Sequence, residues 1–154
     1  MNISAIIPEY LHNKRMAIAK RYIKGDVLDI GCGSAEISKL LDKNQRYVGI
    51  EKNIKRLNKK YPHLVFYQAD MERDKINIDH KFDTILMLAF VEHIRNAGNV
   101  FEQCYKLLKD DGVMIMTTPT PLGDKTHTLL AKFDLTCKSA VDTHYSINTI
   151  LTKI

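Results

Sequence analysis

Cysteine is scarce in this 154-residue chain: Cys32, Cys104 and Cys137 are odd in number, far apart, and have no Cys-x-x-Cys or zinc-ribbon spacing. That argues against a disulfide framework and a zinc module and leaves three free thiols in a reducing compartment. Long apolar runs are missing as well, and none approaches the roughly 20 residues that a membrane helix needs. The N-terminal stretch MNISAIIPEYLHNKR carries no basic leader followed by a long apolar segment. A secretory signal is therefore not expected, no membrane partner is expected, and the expected compartment is cytoplasmic. No repeat, low-complexity tract or linker divides the chain, whose length suits one domain, 1–154, with a single sizeable core.

Hydrophobic residues make up 45% and charged residues 27%, close to the globular average, and the net charge is +5. The densest basic run is KNIKRLNKKY, 52–61. Its apolar residues Ile54, Leu57 and Tyr61 recur at helical spacing, so its lysines read as the solvated face of an amphipathic helix. A nucleic-acid patch would want aromatics interleaved with the charge, and there is no clear nucleic-acid signal.

Short apolar runs alternate with helical patterns along the chain. Helices are expected over 8–23, 34–43, 53–60 and 97–108, and strands over 26–30, 46–50, 64–67, 82–88 and 113–118. A polar loop covers 70–81, and Asp111-Gly112 is a turn signal. FDTILML (82–88) has the unbroken apolar character of a strand covered on both faces. The alternation predicts an α/β fold: a doubly wound, mostly parallel sheet with helices on both faces. Ligands of such sheets bind beyond the carboxyl ends of the strands, so the loops there should carry the chemistry.

The first of these loops is Asp29-Ile30-Gly31-Cys32-Gly33-Ser34-Ala35. Two glycines permit a tight turn and close approach of a ligand to the backbone. The helix expected behind them would offer unpaired amides to an anion. Asp29 is a liability beside a pyrophosphate and an asset beside an amino group or sulfonium. The dinucleotide fingerprint also wants glycine where this chain has Glu36, which disfavours an NAD-type oxidoreductase. After the second strand, Glu51 lies about 20 residues beyond the first glycine, where an acid can accept bonds from ribose hydroxyls. Asp70, after the third strand, can accept from an adenine amino group, with Met71 packing on the base.

In order, VLDIGCGSAEI, VGIEKN, YQADMER, FDTILMLAFVEHI and LLKDDGVMIMTTPTP resemble the successive motifs of class I S-adenosylmethionine-dependent methyltransferases. The resemblance spans roughly residues 20–121. It implies a Rossmann-like sheet and S-adenosyl-L-methionine as cofactor, with S-adenosyl-L-homocysteine as product. It assigns Asp29, Gly31 and Gly33 to the methionine part, Glu51 to the ribose, and Asp70 with Met71 to the adenine; Cys32 and Lys52, beside them, are further cofactor-binding candidates. Leu88 and Ala89 match the positions after the fourth strand whose backbone faces the cofactor. Ala35 stands where the family commonly has a third glycine, a replacement that matters only if the local φ is positive.

Methyl transfer is an in-line displacement, and a base is needed only when the acceptor must lose a proton. Glu92 and His93 are the catalytic candidates; alternatively they simply open the helix that follows. FVEHI resembles a segment of metal-assisted family members, but an expected acid is replaced by Ala89. His127 or His144 would have to complete the set, and no metal is expected. His144 and Tyr145, in a segment resembling the border of the acceptor site, are the substrate-binding candidates for a small-molecule hydroxyl or amine acceptor. SINTILTKI (146–154) reads as a final helix, leaving no residues for the family's C-terminal hairpin. That expectation puts strand five near an open edge suited to a homodimer. It also admits a truncated or degenerate domain that binds the cofactor without turnover.

Overall fold

The computed structural model describes residues 3–119, 137–141 and 147–153. Helix α1 (Ile3–Lys20) leads into β1 (Val27–Ile30), then a short 3₁₀ helix (Glu36–Leu40) and β2 (Tyr47–Glu51). Next come α2 (Lys55–Lys60), β3 (Val65–Gln68), β4 (Phe82–Leu88), a second 3₁₀ turn (Val91–His93) and α3 (Ala97–Leu107). The chain continues through β5 (Leu108–Pro119), β6 (Cys137–Val141) and β7 (Ile147–Lys153).

The strand order is β3-β2-β1-β4-β5-β7-β6. β1 to β5 are all parallel, as the strand–helix alternation predicts, and the order reverses between β1 and β4. β1 and β4 are buried almost throughout because their VLDI and FDTILML runs are covered on both faces. One core layer joins Leu28, Ile30, Ile85 and Met87 to Val100, Phe101, Cys104 and Leu107 of α3. The other sets Val27, Leu86 and Ile115 against Ala19, Ile37 and Leu57. Leu57 and Tyr61 are buried while the lysines of α2 face out, which agrees with the amphipathic reading of that run. None of the described helices is long and apolar enough to cross a membrane.

Three expectations change. The helix expected over 34–43 is only the 3₁₀ segment Glu36–Leu40, because Ala35 before it is left-handed (φ 54°, ψ 29°). The Ser38 hydroxyl donates to the Ala35 carbonyl at 2.6 Å, a local bond that competes with helical ones. Between Leu108 and Val113, β5 advances five residues while β4 advances two, so the expected Asp111-Gly112 turn is an outward bulge within the strand.

The third change is at the C-terminus. β7 runs antiparallel to β5, with Ile115 opposite Leu151, and β6 runs antiparallel to β7. The expected helix over 146–154 and the expected lack of a hairpin give way to this pair of strands. Ile147, Thr149, Ile150 and Thr152 are β-branched, and such residues favour a pleated strand over a helix. β5 is therefore an interior strand, which removes the open edge on which the homodimer expectation rested.

Candidate functional site

The reversal in strand order opens a cleft at the carboxyl ends of β1 and β4, where two cavities lie side by side. One, of about 250 Å³, is lined by Gly31, Ile50, Glu51, Lys52, Ala69, Asp70, Met71, Glu72, Ala89, Phe90, His93 and Ile94. The other, of about 290 Å³, is lined by His12, Arg15, Met16, Asp29, Gly31, Cys32, Gly33, Ser34, Glu36, Ile37, Leu88 and Ala89. Gly31 and Ala89 line both.

The junction between the cavities is built from unusual backbone. Gly31 and Gly33 have φ of 67° and 53°, and Ala35 and Ala89 adopt the same left-handed region at 54° and 52°. A Cβ on Gly31 would overlap the ring of Phe90, which lies against it in this structure. Ala89 is held by its amide, which reaches the Thr117 carbonyl at 2.9 Å and the Thr117 hydroxyl at 3.1 Å. The third-glycine position thus does have a positive φ, so Ala35 carries strain that glycine would not.

The carboxylates divide between the cavities. Asp29 is 3% exposed and takes a 2.8 Å hydrogen bond from the Tyr47 hydroxyl. Burial pushes its pKa up from 3.8 to about 7; the Tyr47 bond opposes the shift and the nearby Glu51 charge adds to it. The same burial, with the Asp29 and Glu51 charges, drives the Cys32 thiol up, so that sulfur is protonated. Glu51 accepts from the Gly33 amide at 3.0 Å and the Lys52 amide at 2.7 Å. Asp70 accepts from the Glu72 amide at 3.1 Å and pairs with Lys52 Nζ at 3.2 Å. These contacts, the amide foremost, hold its carboxyl below the usual range. Met71 is buried beneath the same cavity.

The cavities bring Asp29, Gly31, Cys32, Gly33, Glu51, Lys52, Asp70, Met71, Leu88, Ala89 and His93 to one cleft. Glu92 lines neither, and its Oε2 is buried without a hydrogen-bond partner among the described residues. His93 is exposed at the rim, its amide bonded to the Phe90 carbonyl at 2.9 Å. His127, His144 and Tyr145 lie outside the described residues. Among those described, no group of three or more His, Cys, Asp or Glu side chains could hold a metal ion.

Sequence reasoning missed the contribution of α1. His12, Arg15 and Met16 reach the second cavity, and Arg15 Nε is buried with no hydrogen-bond partner among the described residues. Their spacing of three and four places them on one helix face, the only signal that could have found them. The helix terminus expected to greet an anion there is a five-residue 3₁₀ segment, too short for an appreciable dipole. The cation in this cavity is Arg15.

The sequence and the fold are matched by known proteins. The model of a methyltransferase domain family matches residues 6–149. The chain is 29% identical over 98 residues to a ubiquinone biosynthesis O-methyltransferase of Bradyrhizobium diazoefficiens, covering 60% of this chain and 39% of that one. It is 26% identical over 122 residues to a malonyl-[acyl-carrier protein] O-methyltransferase of Calditerrivibrio nitroreducens, covering 75% and 48%. Its fold is shared by a TehB-like SAM-dependent methyltransferase of Corynebacterium glutamicum (TM-score 0.74, 16% identity, 91% of this chain and 87% of that one). A SAM-dependent methyltransferase of Archaeoglobus fulgidus is similar (TM-score 0.72, 16% identity, 94% of each chain). The fold and the matched motifs are those of Rossmann-like methyltransferases. The chain belongs to the class I S-adenosylmethionine-dependent methyltransferase family, whose cofactor is S-adenosylmethionine. It spans about two fifths of the length of the matched ubiquinone-pathway relative.

Proposed function

We propose that residues 1–154 form a single domain that transfers a methyl group from S-adenosylmethionine to a hydroxyl or amine of a small-molecule acceptor. The observation that carries this reading is the pair of cavities meeting at Gly31 and Ala89, one lined by Glu51 and Asp70 and the other by Asp29 and Arg15. The residues present fit that cofactor. Glu51 and Asp70 supply acceptors for ribose hydroxyls and an adenine amino group. Asp29 is the acid available to an ammonium, and Arg15, whose Nε is buried without a partner among the described residues, is the cation available to a carboxylate. When bound, S-adenosylmethionine supplies an electrophilic methyl on a sulfonium.

The chain's own task is then mostly orientation. Gly31, without a side chain, leaves the backbone between the cavities open to close approach, with the Phe90 ring packed beside it. His93, exposed at the mouth of the adenosine-side cavity, is the group placed to take a proton from a hydroxyl or amine acceptor. Glu92, turned away from both cavities, is better suited to supporting the 3₁₀ turn that carries His93. A screen of acceptors with methyl-labelled S-adenosylmethionine tests the reading. Transfer to a hydroxyl or amine compound is expected, and it should slow in His93→Ala more than cofactor affinity weakens. Binding without transfer to any acceptor would favour a domain that holds the cofactor without turnover.

A further inference from the structure

The two loops that wall the adenosine-side cavity meet at one side chain. Glu72, in the loop after β3, lines that cavity. Its Oε1 accepts from the backbone amides of Arg95 and Asn96 at 2.5 and 2.9 Å, at the entry to α3. Its own amide donates to Asp70 Oδ1 at 3.1 Å, and its carbonyl accepts from Asn99 Nδ2 at 3.3 Å. Gln103 adds a second tie further along, donating to the Met71 carbonyl at 3.2 Å and accepting from the Ile76 amide at 2.8 Å. The Asn96 and Arg95 amides hold the Glu72 carboxyl below its ordinary pKa, so near neutral pH it stays the acceptor.

We infer that Glu72 is a positioning residue: it latches the loop bearing Asp70 and Met71 to the loop bearing His93 and Ile94, so that the cofactor wall and the acceptor wall keep one spacing. Neither nucleotide nor acceptor need touch its carboxylate oxygen for this. Without the latch, the Asp70 loop keeps the Gln103 and Asn99 ties to α3 but loses its register with His93, two residues before Arg95. A neutral side chain with an acceptor oxygen of the same reach keeps the latch, with bonds weaker than the carboxylate's, because both donors are backbone amides. The inference rests on reading this cavity as the adenosine site.

The test compares Glu72→Ala and Glu72→Gln with the unaltered chain. Binding of S-adenosylhomocysteine is measured by calorimetry at a temperature well below the melting point of each variant. Losing two amide bonds to a charged acceptor predicts affinity lower by about tenfold in Glu72→Ala, with a further fall in kcat for any accepted substrate. Glu72→Gln should restore both to within about threefold. If Glu72→Ala melts lower yet binds with unaltered affinity, the residue is merely structural and the inference fails. It fails equally if Glu72→Gln is as impaired as Glu72→Ala, since charge rather than the latch would then matter. Absence of binding to the unaltered chain would instead overturn the reading of the cavity.

Discussion

Replacing Asp29 with Asn should stabilise the ligand-free protein, and by an amount that grows with pH. Asp29 is buried, and its principal partner is the Tyr47 hydroxyl, whose bond only partly offsets the burial. Its pKa rises from 3.8 to about 7. Between those values the folded chain keeps a proton that the unfolded chain has released. Stability from this group therefore falls as pH rises through that window and is lowest above it. At ~1.4 kcal/mol per decade, burying this group costs ~1.5 kcal/mol at pH 5, where the folded carboxyl must keep its proton, and ~4 kcal/mol at pH 8, where it is charged. Asparagine keeps an oxygen for the Tyr47 hydroxyl and carries no charge, so it escapes that cost. Urea unfolding of both chains at several pH values, without ligand, measures the difference. The gap in favour of Asp29→Asn should widen by ~2.5 kcal/mol from pH 5 to pH 8, and a gap that is constant or narrows would refute the reasoning. The same variant should bind S-adenosylhomocysteine more weakly, because in the proposed site the destabilising charge is the one that would meet an ammonium.

Other outcomes follow from single residues. Ala35 is fully buried at φ 54°, so Ala35→Gly relieves ~1–2 kcal/mol of backbone strain but loses a buried methyl and gains unfolded-state freedom. These nearly cancel, and denaturant melts should place it within about 1 kcal/mol of wild type. Ala35→Val adds a β-branched side chain at positive φ and should cost more than about 2 kcal/mol. Arg15→Met should weaken S-adenosylhomocysteine by about tenfold or more while leaving 5′-methylthioadenosine, which lacks the amino-acid end, nearly unchanged in the same titration. Glu51→Ala should cost roughly 1–3 kcal/mol of S-adenosylhomocysteine affinity, and an unchanged value would move the ribose elsewhere.

β1, β2, β4 and the 113–117 part of β5 were legible because each is a short apolar run between polar loops, as buried parallel strands require. The edge strand β3 is largely exposed and was legible instead in its β-branched and aromatic residues. Asp29, Gly31, Gly33, Glu51 and Asp70 stood out as candidates because chemistry at strand ends needs particular residue types at particular spacings, and the fold brings them to one cleft. Arg15 was not, because on α1 it reads as one more charge on a polar helix face; only the fold turns that face toward the Gly31 loop. Nor was the shortening of the 34–43 helix, which follows from a left-handed alanine whose φ no periodicity reveals. In β7 two patterns compete: Ile147, Ile150 and Leu151 have helical spacing, while the β-branched residues favour a strand. Pairing with β5 decides for the strand. Glu72 was hidden for a different reason, since its partners are backbone amides 23 and 24 residues away, which leave no mark on side-chain identity.

The central claim is that the two cavities on either side of Gly31 form one S-adenosylmethionine site. Calorimetric titration of the whole chain with S-adenosylhomocysteine tests it most directly. The account predicts a single site per chain, filled by one ligand spanning both cavities, so that Arg15→Met and Glu51→Ala each weaken the same binding event. No heat at high protein concentration, or variants on one side that leave the affinity untouched, would contradict it.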